Sequence, residues 1–491
     1  MSTHRLSAFQ RLQLTWKAYH CQGIYGAITD MANGYRVSRW LVYHLLKRLM
    51  PLMLSLAAPM RPGRKPLKKE LCVDKRHFDR AIVTLRIVGN VSIEGIQRCL
   101  EEILQIHRST GYISQVIEHA QQQATAFLKQ VAYQTTGAGI LDELFMGEAP
   151  ILIAVEPNST AIIMLVKEIH RDGDTWGLHL LQTEEQGFKF NLIASDQAQG
   201  IATGVNEALG ENVPHQIDIG HLFAQVSQLD AALERAAYKS LAYEEERWRV
   251  LDSARSAQVL SKRIQAWEQA KKASEQTIDL YDDFHYLAHQ LYDLFTPVDS
   301  EGVPTTLADV QVELEALIAL LSELPSARAQ QVCTRLDSQK EGLLVFFCDF
   351  QQCLKKLHQL IPDEELLQML LLEYFLNRKK KLSESCQKTL TEVENFLSSY
   401  LGPKADFIRK QVACILDGLL RSSALVENAN SRIRPYLNLR KGVSQGFLDL
   451  LALYLNSKTY RRGKRQGQTP FELLGVYIPD DWLELLGLPR N

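Results

Sequence analysis

The sequence predicts a mixed architecture: a small α/β unit embedded in a chain that is otherwise helical. Three observations lead there. Apolar residues recur at helical spacing through about the first 130 residues and again from about 225 to 415. Between these blocks stand short β-branched runs separated by Gly, Pro and Asn, the mark of strands. A chain of 491 residues also exceeds what one core organises, so several units are expected.

Residues 1–56 contain "AITDMANGYRVSRWLVYHLLKRL", the form of a helix-turn-helix. One apolar helix stops at Asn33-Gly34, and Ser38 caps a second that runs to about Leu49. That helix presents Ser38, Arg39, Trp40, Tyr43 and His44 near its start, where a recognition helix meets base edges. Residues 57–73 form a basic Pro/Gly linker. In its "PMRPGRKPLKK", Pro62 and Pro66 flank Gly63 and exclude a regular helix. Arg61, Arg64 and Lys65 lie there, either on a plain linker or on an extended arm suited to the minor groove of DNA.

From 74 to 130, "VSIEGIQRCLEEILQIHRSTGYISQVIEHA" predicts helices capped by Ser92 and by Ser109 or Thr110. Ile93, Ile96, Leu100, Ile113 and Ile117 fall on their apolar faces, in a second helix-turn-helix or in simply packed helices. The period then changes. "AGILDELFMG", "PILIAVEPN" and "TAIIMLVKEIH" predict a three-strand antiparallel meander. A short helix near 175–183, a strand "FNLIAS" stopping at Asp196, a helix over 199–209 and a short strand in "HQIDIGHLF" complete the α/β unit to about 224. Residues 225–415 return to amphipathic helix, with Trp248 and Trp267 expected in its core. Residues 416–475 hold one more helix and a basic segment, and 476–491 form a tail.

The formal charge of −2 conceals segregation. Residues 1–69 carry twelve Lys and Arg against Asp30 alone, and residues 428–470 carry nine against Asp449 alone, so the middle is strongly acidic. Two basic ends imply a polyanionic partner, nucleic acid above all. The eight cysteines are scattered without zinc-knuckle spacing and read as thiols in a reducing compartment. No apolar run reaches the roughly 18 residues of a membrane span and no signal peptide opens the chain, so a cytoplasmic protein is expected.

Three acids stand out by position. Asp142 is expected to end the first strand, Asp196 ends the fourth, and Glu427 lies in a helix ahead of Arg432, Arg434, Arg440 and Lys441. Carboxylates at adjoining strand ends suit hard divalent cations, which take oxygen ligands and keep positions open for water and phosphate. Glu143 and Glu156 are rival ligands, although Glu156, just before Pro157, is expected in solvent.

These motifs, "LDELFMG", "LIASDQAQG" and "SSALVENANSRIRPYLNLRKG", in this order after a helix-turn-helix, resemble the DDE transposases of bacterial insertion sequences, in the ribonuclease H-like superfamily. The resemblance covers roughly residues 138–475 and is closest to members with an all-helical insertion before the last acid. It implies a ribonuclease H-like core split into 138–224 and 416–475 around the helical block. It also implies catalysis and metal binding by Asp142, Asp196 and Glu427, with Mg²⁺ or Mn²⁺, two ions in all. In such members an Asp stands three residues before a His after the second acid, matched here by Asp218 and His221 of "DIGH" as accessory residues. His221 on its own reads more readily as structural. Fifty-three residues separate Asp142 from Asp196, ordinary for the family, but 230 separate Asp196 from Glu427, which the insertion must absorb. The implied partners are double-stranded DNA, as element ends with inverted repeats and as target, and further copies of the chain in a homodimer or larger assembly. Arg432, Arg434, Arg440 and Lys441 are implied DNA contacts. A nuclease of the same fold without strand transfer, or a transposase-derived regulator without catalysis, are the alternatives.

Overall fold

Serine hydroxyls open helices where the sequence places them. In the first of two compact units, Met1–Val73, α1 (Ala8–His20) and α2 (Ala27–Gly34) precede α3 (Arg39–Ala57), whose Leu41 N–H donates to Ser38 Oγ at 3.2 Å. Helix α3 outruns its expected end near Leu49 and carries Pro51 within it. Leu14, Ala18, Ala32, Val42, Leu45 and Leu46 make this unit's core. The computed structural model describes residues 6–57, 74–196, 198–379 and 382–490. Arg61, Arg64 and Lys65 fall outside them.

The second unit, Asp74–Asn491, begins with α4 (Lys75–Ile87), α5 (Ile93–Leu104) and α6 (Thr110–Gln130). Asp74, Ser92 and Ser109 each accept a backbone N–H from the first turn of one of them. These helices are not a domain of their own. Val83, Ile87, Ala120 and Ala124 share one core with the strands that follow.

Those strands are β1 (Thr135–Met146), β2 (Ala149–Glu156), β3 (Ala161–Lys167), β4 (Phe188–Ser195) and β5 (His215–Ile217), with α7 (Gly173–Glu185) before β4 and α8 (Gln199–Leu209) after it. The sheet runs β3-β2-β1-β4-β5. Strands β1, β2 and β3 form the antiparallel meander, and β4 pairs parallel with both β1 and β5. The fold is mixed α/β with a five-stranded mixed sheet and a helical majority.

Among the described residues eight α-helices follow: α9 (Ile219–Arg249), α10 (Ala257–Leu294), α11 (Leu307–Glu323), α12 (Ala327–Leu343), α13 (Val345–Leu360), α14 (Glu364–Leu376), α15 (Glu384–Leu401) and α16 (Ala405–Leu416). They bury two apolar clusters of their own, one around Phe284, Leu291 and Phe346 and one around Phe350, Leu371 and Leu397. Trp248 lies outside both and is 57% exposed, against expectation. The groove beside it and Trp267 is lined by α9 and α10 alone, so no third layer covers the rings. The chain then returns to the sheet as α17 (Ala424–Asn438), α18 (Gln445–Asn456) and the short α19 (Pro470–Leu473).

Successive residues of a strand point to opposite faces. Asp142 is reached from α17 and Glu143 from Trp176 of α7, so these helices cover opposite faces of the sheet. Side-chain amides close the β3 edge and tie β5 to the helices beside it. On β3, Gln445 accepts from Lys167 N and donates to Leu165 O, both at 2.9 Å, while Asn456 accepts from Ile162 N at 2.9 Å and donates to Ile162 O at 2.8 Å. On β5, the buried Gln216 donates to Leu343 O at 3.3 Å and accepts from Phe346 N at 2.7 Å. Among the described residues no helix is long and apolar enough to cross a membrane.

Candidate active site

Strand register builds the site. Ile140 of β1 stands opposite Ala194 of β4, so two further residues on each strand bring Asp142 level with Asp196. Ser195 stands opposite Ile217 of β5, so one further residue brings Asp196 level with Asp218. Three acids therefore line the C-terminal edge of the parallel strands, on backbones spaced about 4.8 Å apart. Asp142 lies inside β1 and not at its end. Strand β1 outruns β4 and continues to Met146 as the partner of β2.

Asp142 is half-buried and held at both oxygens. Its Oδ1 accepts the Glu143 N–H at 2.7 Å, and its Oδ2 accepts Asn430 Nδ2–H at 2.5 Å. Burial raises its pKa, the charges of Asp196 and Glu427 add to the rise, and the two hydrogen bonds oppose it. Asp142 thus senses the charges of the other two acids singled out in the sequence. Glu427, in the first turn of α17, is half exposed and paired with Arg434 at 3.3 Å.

Asp218 caps α9. Its Oδ1 accepts the N–H groups of Gly220 and His221 at 2.7 and 3.3 Å. Its Oδ2 accepts the Ser423 hydroxyl and pairs with His221 Nδ1 at 3.0 Å. Burial alone would raise the Asp218 pKa, but these partners outweigh it and bring the pKa below the ordinary value. The same bond raises the His221 pKa against the effect of its burial, and the charges of Asp218, Asp196 and Asp142 add to the rise. Ser423 occupies the N-cap position of α17 without a side-chain capping bond, and its hydroxyl donates to Asp218 instead. With Ile219 N–H donating to Arg421 O at 3.2 Å, the chain's departure into the helical block and its return are stitched together beside the acids. His215 pairs with Ser195 Oγ at 2.8 Å, and burial lowers its pKa to about 4, leaving a neutral ring near Asp196.

The rival acids are engaged elsewhere. Glu143 faces the other side of the sheet, bonded to Arg171 at 2.7 Å and to Trp176 Nε1 at 3.3 Å. Glu156 is buried, not solvated, because Asn158 N, Ser159 N and Ser159 Oγ all donate to it.

Among the described residues no three His, Cys, Asp or Glu side chains converge as a ready-made metal site. The cause is local: Glu427 is turned to Arg434, and the oxygens of Asp218 are filled by His221, Ser423 and backbone. Asp142 and Asp196 fit an oxygen-seeking cation in donor chemistry and in register.

Of Arg432, Arg434, Arg440 and Lys441, the first three are engaged within the fold and Lys441 is exposed. Arg432 donates to Leu455 O at 3.4 Å. Arg440 donates to Tyr436 O at 2.6 Å and lies over the Phe447 ring at 4.4 Å, while Arg434 holds Glu427. The carbonyls at the ends of α17 and α18 draw in Arg440 and Arg432, so these side chains brace the fold before they meet any partner. In the first unit, Ser38, Arg39, Trp40 and Tyr43 are exposed and His44 stacks on Trp40 with ring centroids 4.8 Å apart.

Asn430 and Ser423 were missed in the sequence. The one local signal for Asn430 is its place one turn after Glu427, a polar residue among Val426, Ala429 and Ile433. Ser423 offered none, since its partner is 205 residues away. Comparison with protein-family models gives no match, and comparison with curated proteins gives no significant one.

Proposed function

We propose that the chain is a DNA transposase of the DDE kind, with a ribonuclease H-like core interrupted by the helical block, acting in the cytoplasm on the ends of its own element. The observation that carries this is the strand register that sets Asp142 level with Asp196, with the Glu427 helix against the same face of β1.

In this reading the first unit binds element ends through Ser38, Arg39, Trp40, Tyr43 and His44, and the acids act on the phosphodiester. Asp142 and Asp196 would hold Mg²⁺ or Mn²⁺, with Glu427 joining as a third ligand once it exchanges Arg434 for the cation. A divalent cation held by these carboxylates would supply activation of an attacking oxygen and stabilisation of the leaving one, the chemistry that hydrolysis to a 3′ hydroxyl and its joining to target DNA both need. The Glu143 N–H holds one oxygen of the Asp142 carboxylate. Arg434, released from Glu427, is left beside the reacting phosphate as a guanidinium donor. The long faces of α9 and α10 give a second copy of the chain a place to dock, as joint cutting of two ends requires.

The test is Asp142→Asn, Asp196→Asn and Glu427→Gln in the full chain, with element-end duplex DNA. Each variant should bind DNA at least as well as the parent and lose Mg²⁺-dependent cleavage and joining by on the order of a thousandfold. Retained activity in all three overturns the proposal. Cleavage without any joined product would favour a nuclease of the same fold.

A further inference from the structure

We infer that Asn430 is a positioning residue for Asp142, tying that carboxylate to the helix that carries Glu427. The inference rests on the metal-dependent reading above and names a residue that reading does not require.

Asn430 is fully buried on the inner face of α17, among Val426, Ala429 and Ile433. Its Nδ2 donates to Asp142 Oδ2 at 2.5 Å, while its Oδ1 is buried with no partner among the described residues. An orphaned buried acceptor is destabilising, and an apolar side chain of the same size avoids that cost. Packing therefore argues against an amide at this position. The amide's one bond is to a carboxylate, and it holds the oxygen that the Glu143 N–H leaves free. Two donors from two different elements thus fix the plane of the carboxylate, and each oxygen keeps a second lone pair for a cation. Outer partners of this kind orient metal ligands. Asn430 also stands one helical turn from Glu427, so any shift of α17 carries the third acid and the Asp142 tether together. Glu427 must change partners to bind a cation, whereas Asn430 already holds its own.

The experiment is a calorimetric Mn²⁺ titration of the full chain without DNA, beside thermal melting, for the wild type, Asn430→Leu and Asp142→Asn. Asn430→Leu loses the bond to Asp142 together with the orphaned acceptor, two effects of opposite sign, so it should fold and melt close to wild type, yet bind Mn²⁺ about 10- to 100-fold more weakly. A purely structural role predicts a changed melting point with unchanged affinity. If the leucine does not fold, Asn430→Ala removes the same donor without bulk and is held to the same affinity loss. Wild-type affinity in the folded variant, with Asp142→Asn impaired, overturns the role of Asn430 alone. A wild type that takes up no Mn²⁺ overturns the metal reading and this inference with it.

Discussion

Ser423→Ala removes one hydroxyl from the seam where the helical block leaves and rejoins the sheet. That hydroxyl donates to Asp218, whose side chain is 5% exposed. Hydrogen bonds to charged groups contribute about 1.5–3 kcal/mol. Asp218 keeps His221 and two backbone N–H donors after the change, so the loss should sit in the middle of that range, about 2 kcal/mol. The pH dependence follows from the depressed Asp218 pKa. A carboxylate whose folded pKa is lowered contributes stability fully above its unfolded value, near 3.9, and loses it as pH falls through the folded value. Wild type and variant should therefore differ in full at pH 7 and converge as pH falls below the ordinary carboxylate range and the Asp218 carboxylate takes up its proton. Urea titration followed by circular dichroism at several pH values measures the difference. A gap below about 0.5 kcal/mol at pH 7, or one unchanged in acid, would refute a charge-assisted bond at this seam.

Gly204→Ala should destabilise the protein by about 1–3 kcal/mol or more, measured by urea unfolding, because its Cβ would lie 2.5 Å from Trp176 Cβ and 2.7 Å from Gly173 O, where α7 and α8 pack closely. Trp40→Ala should leave stability within about 0.5 kcal/mol, since the ring is 69% exposed, yet weaken duplex DNA binding in a fluorescence anisotropy titration; unchanged affinity would remove α3 from the recognition surface.

The elements were legible where the signal is local. Ser38, Ser92 and Ser109 open helices as their spacing to the following apolar residues predicts, and the change from helical to extended period marks the strands. The place of Asp196 after β4 was legible for the same reason. What escaped depends on partners remote in sequence. Asn430 meets Asp142 across 288 residues, and no run of neighbours encodes that distance. Glu156 lies between these cases. Its "EPNS" turn supplies the donors that bury it, but the proline beside it was taken as a sign of solvent. The arginines after Glu427 were read as DNA contacts without sight of their partners in the fold, because composition records charge and not the carbonyls that Arg432 and Arg440 meet.

The amides that close the β3 edge have a consequence for the timing of synthesis. Lys167 and Ile162 wait for Gln445 and Asn456, which come 278 and 294 residues later. At the 5–20 residues per second of a ribosome, that delay is roughly 15–60 seconds. Throughout it β3 offers unpaired N–H and C=O groups to any extended segment nearby, its own nascent neighbours on a polysome included. The hazard of this sheet is thus one of translation and not of the finished protein. Slowing elongation between residues 167 and 456 should increase aggregation during expression while leaving the purified protein's stability unchanged.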